Sequence, residues 1–205
     1  MAVVSLYGKM VLGKVKLWGK LIAAFLPAAV IGLGFYSVIK KSLLDNPVVT
    51  LTALLVGGVI LIGLEKWVFK KKTGTADLEK VTYKQAVVVG CFQALAVIPG
   101  VSRAGATIVG GMLNGLNRKA AVELSFLLAV PTMAAATGLD LLKTRGQFNK
   151  PEYLMLGVGF IGAWLTAMVA VRYFVKFVEK HTLAGFGVYR ILLALVYGLW
   201  FWAIS

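Results

Sequence analysis

Gln93-Ala-Leu-Ala-Val-Ile-Pro-Gly-Val-Ser-Arg-Ala-Gly-Ala-Thr107 places a serine and an arginine inside a chain that otherwise reads as lipid-soluble. Pro99-Gly100 breaks one apolar run of helical character, Ser102-Arg103 follow at once, and a second apolar run extends from Ala104 to Leu116. An arginine at membrane depth costs at least about 2.5 kcal/mol on insertion scales, which makes Arg103 a functional candidate. It also stands at a helix start, where unpaired backbone N–H groups and the helix dipole favour an anion. Cation, hydroxyl and amides in one turn point to a phosphate-sized ligand held within the bilayer.

The rest of the chain supplies that bilayer. Of its 205 residues 60% are hydrophobic and 11% aromatic, with a mean hydropathy of +0.86. This length suits one integral membrane domain, 1–205, with about five or six hydrophobic segments of about 20 residues. Four stretches are long enough to span, near 21–39, 120–142, 153–171 and 183–204, and 48–64 is a shorter fifth. Residues 85–98 and 104–116 are each too short to cross alone. They form either one broken span or a re-entrant pair that enters and leaves on one side. The fold class is therefore all-α, a polytopic membrane helix bundle.

A net charge of +14 would suggest nucleic acid in a soluble protein. Here the basic residues cluster in short loops between apolar stretches, as cytoplasmic loops do, so the expected partner is the membrane and not nucleic acid. Lysines and arginines outside the apolar runs fall in six groups: four in 9–20, two in 40–41, six in 66–84, two in 118–119, three in 143–150 and three in 172–180. If 85–116 is re-entrant, the first, third, fourth and sixth groups share a side, 15 against 5; if it crosses once, the split is 13 against 7. The positive-inside rule prefers the re-entrant division. The polar stretch 70–84 reads as a loop and a helix start, with Thr75 or Asp77 as its cap.

Other polar residues carry competing readings. Ser102 is an N-cap as readily as a phosphate ligand, and the two roles are compatible. The Thr107 hydroxyl either faces the ligand or bonds back to a backbone carbonyl. Gln93 either faces the same cavity or makes a helix–helix hydrogen bond. Glu123 pairs with Arg103, binds a metal, or lies at the surface near Arg118 and Lys119. Asp140, beside Lys143 and Arg145, reads as interfacial. Arg190, inside the last apolar run, forms a buried pair or binds an anionic headgroup. His181 reads as a solvated loop residue, and Cys91, the single cysteine, as small apolar packing. Gly57-Gly58 and Gly110-Gly111 read as close helix contacts. On these residues alone a phosphatase and a transporter or flippase of a lipid phosphate rank equally, because broken helices aimed at an anion also serve transport. A binding protein without turnover is the third reading.

With those residues in place, the chain resembles the undecaprenyl-diphosphatase family of bacterial membrane enzymes, linked to bacitracin resistance, which recycle the lipid carrier of cell-wall peptidoglycan. Pro99-Gly-Val-Ser-Arg-Ala-Gly-Ala-Thr107 is similar to the signature P-G-x-S-R-S-x-x-T, with Ala104 in place of its second serine. Ala120-Ala-Val-Glu123 to Pro131 and Gly138-Leu-Asp140 resemble the following helix. The resemblance implies two inverted repeats whose re-entrant loops meet in one site, of which these residues carry the second. The family's first signature, E-x-x-x-E with a serine- and histidine-containing turn, precedes the point where Met1 stands, and Met1–Tyr7 reads as the tail of a helix.

By resemblance the reaction is hydrolysis of undecaprenyl diphosphate to the monophosphate and phosphate at the bacterial inner (plasma) membrane. Arg103 would clamp the diphosphate, with Ser102 and Thr107 bonding its oxygens. The candidate catalytic set is thus Ser102, Arg103 and Thr107, and the candidate substrate-binding set is Gln93, Gly100, Arg103 and Glu123. A divalent cation, magnesium or calcium, is implied, held by glutamates of the first signature. These residues alone are therefore expected to bind the diphosphate weakly and to turn over little. A homodimer is kept open.

Overall fold

Four helices begin where the sequence supplies an oxygen to cap them. Asn46 Oδ1 accepts from the Val48 amide at 3.0 Å with Pro47 in the first helical position. Thr82 and Gln85 form a reciprocal capping box. Ser102 Oγ accepts from the Gly105 amide at 3.1 Å, and Asn117 Oδ1 from that of Ala120 at 2.8 Å. The computed structural model describes residues 1–11, 13–35, 43, 46–68, 74–144 and 150–204. Its helices are α1 (Ala2–Val11), α2 (Val15–Gly34), α3 (Pro47–Trp67), α4 (Tyr83–Ala94, continued by a 3-10 turn Leu95–Val97), α5 (Arg103–Leu113), α6 (Arg118–Lys143), α7 (Lys150–Lys180) and α8 (Ala184–Ile204).

Helices α2, α3, α6, α7 and α8 are long and apolar enough to cross a membrane, which makes this a multi-pass all-α bundle. Val56, Val59, Phe160, Leu165, Leu199 and Trp202 are exposed on them, as suits a surface surrounded by lipid. The first span begins at Val15 rather than near residue 21, and the expected 36–39 lie outside the described residues. A hydropathy window rejects Lys16 and Lys20, yet both are helical. Lys20 is buried and its Nζ donates to the Glu79 carbonyl at 2.7 Å, so a neighbouring loop carries the charge.

The buried core lies among α2, α4, α5 and α6, around Leu21, Val89, Ile108, Leu124 and Leu128. Within it α4 and α5 run antiparallel. The Phe92 ring covers Gly110, where a Cβ would come within 2.5 Å of the ring. Gln85 Nε2 donates to the Asn114 carbonyl at 2.9 Å. The start of α4 and the end of α5 therefore lie together, and Pro99-Gly100 is the tip of a helical hairpin. Each arm is about 18 Å long at 1.5 Å per residue, well short of a bilayer core.

Helices α3 and α8 pack chiefly on each other, through Gly58 and Gly187. A Cβ on either glycine would sit 2.7 Å from the other's carbonyl oxygen, and Ile62 and Ile191 cover the crossing reciprocally. This pair meets the tip of the hairpin at one end and the start of α6 at the other. Gly100, at φ +87, abuts the Thr50 carbonyl so closely that a side chain there would run into it. At the other end Glu65 pairs with Arg118, whose Nη1 donates to the His181 carbonyl at 2.9 Å.

That second end gathers the basic segments. Lys14 pairs with Glu79. Thr75 exchanges backbone hydrogen bonds with Gly115 and Asn117 at 2.9 and 3.1 Å. Segments 9–20, 66–84, 118–119 and the end of 172–180 are thereby joined, the four that the re-entrant charge division groups together. Lys40, Lys41, Lys70 to Lys72 and Arg145 lie outside the described residues. Thr75 is bridged to Leu116 and does not cap a helix; Asp77 caps the 3-10 turn Leu78–Lys80, and Thr82 caps α4. His181 is exposed and stacks on Phe177 at 4.3 Å between ring centroids.

Candidate functional site

The hairpin tip divides two environments. On one side, between α3 and the hairpin, lies an apolar cavity of about 570 Å³. Val56 and Ile60 of α3, Phe92 and Leu95 of α4 and Val109 of α5 form much of its wall. It extends along α3 from Val48 to Leu61, a run of about 20 Å in helical rise. The polar residues in its wall are Thr52, Ser102 and Arg190. Ser102 Oγ accepts from the Gly105 amide, which leaves its own proton free for a ligand oxygen. Arg190 Nη2 donates to Ala53 O at 3.1 Å and to Gly100 O at 2.7 Å.

On the other side the tip faces α6. The Arg103 guanidinium turns away from the cavity, half-buried, with Nη1 at a long 3.4 Å from the Ser125 carbonyl. Thr107 is fully buried. Its Oγ1 lies 2.9 Å from Arg103 O, 3.1 Å from Ala104 O and 2.7 Å from Ser125 Oγ. The hydroxyl is thus used within the protein, which places Thr107 behind the turn. Gln93 is 3% exposed and its Nε2 donates to Thr132 Oγ1 at 3.3 Å, so it joins α4 to α6 and is absent from the cavity wall. Its Oε1 is buried with no partner among the described residues. Glu123 is half-buried on α6, two residues before Ser125.

Ser102, Arg103 and Gly100 are therefore brought together at one turn, while Gln93 and Thr107 back it from the α6 side. Sequence reasoning missed Ser125, which receives both Arg103 and Thr107, because nothing in a lone serine of an apolar helix marks its partners. It also left Arg190 without a location. Its only signal was a charge inside an apolar run.

The cation implied by the family resemblance is not matched by donors here. Among the described residues no three His, Cys, Asp or Glu side chains come together. Guanidinium, hydroxyl and helix-terminal amides suit an anion.

The chain matches the family described as "Bacitracin resistance protein BacA" over residues 4–196. It is 46% identical over 201 residues to the undecaprenyl-diphosphatase of Aquifex aeolicus, covering 98% of this chain and 78% of that protein. The undecaprenyl-diphosphatase of a Sulfurihydrogenibium species is 42% identical over 201 residues, 98% of this chain and 79% of the relative. That of Wolinella succinogenes is 43% identical over 198 residues, 96% and 76% respectively. By fold, by the Ser-Arg turn and by similarity over nearly its whole length, this chain belongs to the BacA family of bacitracin resistance proteins.

Proposed function

We propose that this protein is a membrane phosphatase that hydrolyses undecaprenyl diphosphate to undecaprenyl phosphate and inorganic phosphate. One observation carries the reading: the Pro99–Arg103 turn holds a hydroxyl, a guanidinium and the amides of an 11-residue helix at the tip of a hairpin whose inner faces join the core. Water forms the new P–O bond at the terminal phosphorus. The bridging P–O bond breaks, and its electron pair stays on the oxygen of the lipid monophosphate. Phosphoryl transfer depends chiefly on positioning and on neutralising charge. Arg103 offers a permanent forked cation, Ser102 a hydroxyl proton, and the first turn of α5 its amides. Thr107 and Ser125 set the position of Arg103, and the apolar cavity takes part of the polyprenyl chain. Transport of a lipid phosphate is not favoured by the activity for which the relatives are named.

The hairpin is re-entrant in this reading. Its base lies with the basic segments, which the positive-inside rule assigns to the cytoplasm of a bacterial inner membrane. Thr50, which Gly100 touches, is fifteen residues from Glu65 on α3. That is about 22 Å of helical rise, and Thr50 is three residues from the start of α3, so in this reading the tip reaches toward the opposite side of the bilayer.

The test is phosphate release from undecaprenyl diphosphate by the purified full chain in detergent, with magnesium or calcium supplied. Release is expected, and Arg103→Ala lowers it by at least about 100-fold, the scale of losing one charge-stabilising group. Absence of release with lipid-phosphate flux in proteoliposomes would overturn the reading, as would full activity of R103A.

A further inference from the structure

Arg190 has no part in the reaction as described, yet its placement is costly. It is 9% exposed, and among the described residues the only other polar side chains in the wall of its cavity are Thr52 and Ser102; its guanidinium lies against Gly57. A Cβ on Gly57 would come within 2.6 Å of Nη2. Its hydrogen bonds go to two backbone carbonyls, Ala53 O and Gly100 O, and Nε has no partner among the described residues. Carbonyl dipoles do not cancel a full charge. A buried cation without a counter-charge is strongly unfavourable unless an anion completes it. Ser102, in the same wall, is two residues from the carbonyl that Arg190 holds.

We infer that Arg190 is a second anion-binding group of this site. It holds the hairpin tip through Gly100 O and presents its remaining donors to the diphosphate head of a lipid whose chain lies along α3. Arg103 stands on the α6 side of the turn and Arg190 on the α3 side, so the two guanidiniums bracket the head. The inference rests on the phosphatase reading and adds to it the group that links lipid binding to the position of the turn.

Binding of farnesyl diphosphate and of farnesol, the same chain without charge, to the full protein in detergent tests this by titration calorimetry. Arg190→Ala should weaken the diphosphate by at least about tenfold, the worth of one charge-assisted hydrogen bond, and leave farnesol unchanged. Gly57→Ala, which displaces the guanidinium without removing it, should produce the same selective loss. The double variant should bind no worse than R190A. Arg190→Lys keeps the charge but not the planar fork of donors, and should recover turnover number more than diphosphate affinity. Equal weakening of both ligands in R190A, or full recovery of both quantities in R190K, would reduce Arg190 to a latch and overturn the proposal. Selective diphosphate binding through Arg190 in a protein that releases no phosphate would retire the phosphatase reading while leaving this one standing.

Discussion

Thr107 Oγ1 and Ser125 Oγ lie 2.7 Å apart in a fully buried contact between α5 and α6. The same two residues hold both ends of Arg103, Thr107 through the Arg103 carbonyl and Ser125 through the guanidinium. The position of the arginine is therefore set by the Thr107 hydroxyl at one end and the Ser125 backbone carbonyl at the other. Thr107→Val should leave Ser125 without this partner and cost about 1–3 kcal/mol, read as a lower unfolding temperature in detergent. Thr107→Ser keeps the hydroxyl and should retain phosphate release. Equal activity of the valine and serine variants would contradict the positioning role.

Gly100 combines φ +87 with a backbone contact to Thr50 that leaves no room for a methyl group. Gly100→Ala should lose at least about 1–3 kcal/mol of stability and displace the Ser102–Arg103 turn. Gly162→Ala is the control, since a Cβ there meets nothing within 4 Å and helix propensity favours alanine. Comparable melting temperatures for the two variants would argue against a fixed tip.

Glu65 is 8% exposed and pairs with Arg118, which also reaches the His181 carbonyl. Removing one partner of a buried pair typically costs about 3–5 kcal/mol. Glu65→Gln should therefore lower thermal stability by an amount near that range, with α3 and α8 loosened from the basic end of the bundle. A shift no larger than that of an exposed substitution such as Lys66→Gln would show that the pair is solvated.

The hairpin geometry fixes a labelling pattern. With Cys91 replaced by alanine, cysteines introduced at Lys84 and at Lys119 should react with an impermeant thiol reagent from the same face of a vesicle. Gln85, next to Lys84, is hydrogen-bonded at 2.9 Å to Asn114, five residues before Lys119. Labelling from opposite faces would mean that 85–116 crosses the membrane once.

Much of this was legible in the chain. Apolar runs of bilayer length do not depend on their neighbours, so α3, α6 and α8 fall close to the stretches read from hydropathy, while α7 starts near its expected place and continues nine residues past 171. The Pro99-Gly100 break and the Ser102 cap are local chemistry and sit where the residues placed them. The early start of α2 was not legible, because Lys20 is tolerated only through the Glu79 carbonyl, distant in sequence.

What the residues determined alone is the bilayer as solvent, an interrupted helix, and a cation beside a hydroxyl at the interruption. These follow from hydropathy, from the stereochemistry of proline and glycine, and from the cost of charge in hydrocarbon. Only the tertiary structure decided which arginine faces which space. Arg103 turns to Ser125 on α6 and Arg190 to Gly100 at the tip. Both directions depend on which helix packs behind each one, and helix–helix packing is a property of paired surfaces that a single segment does not carry.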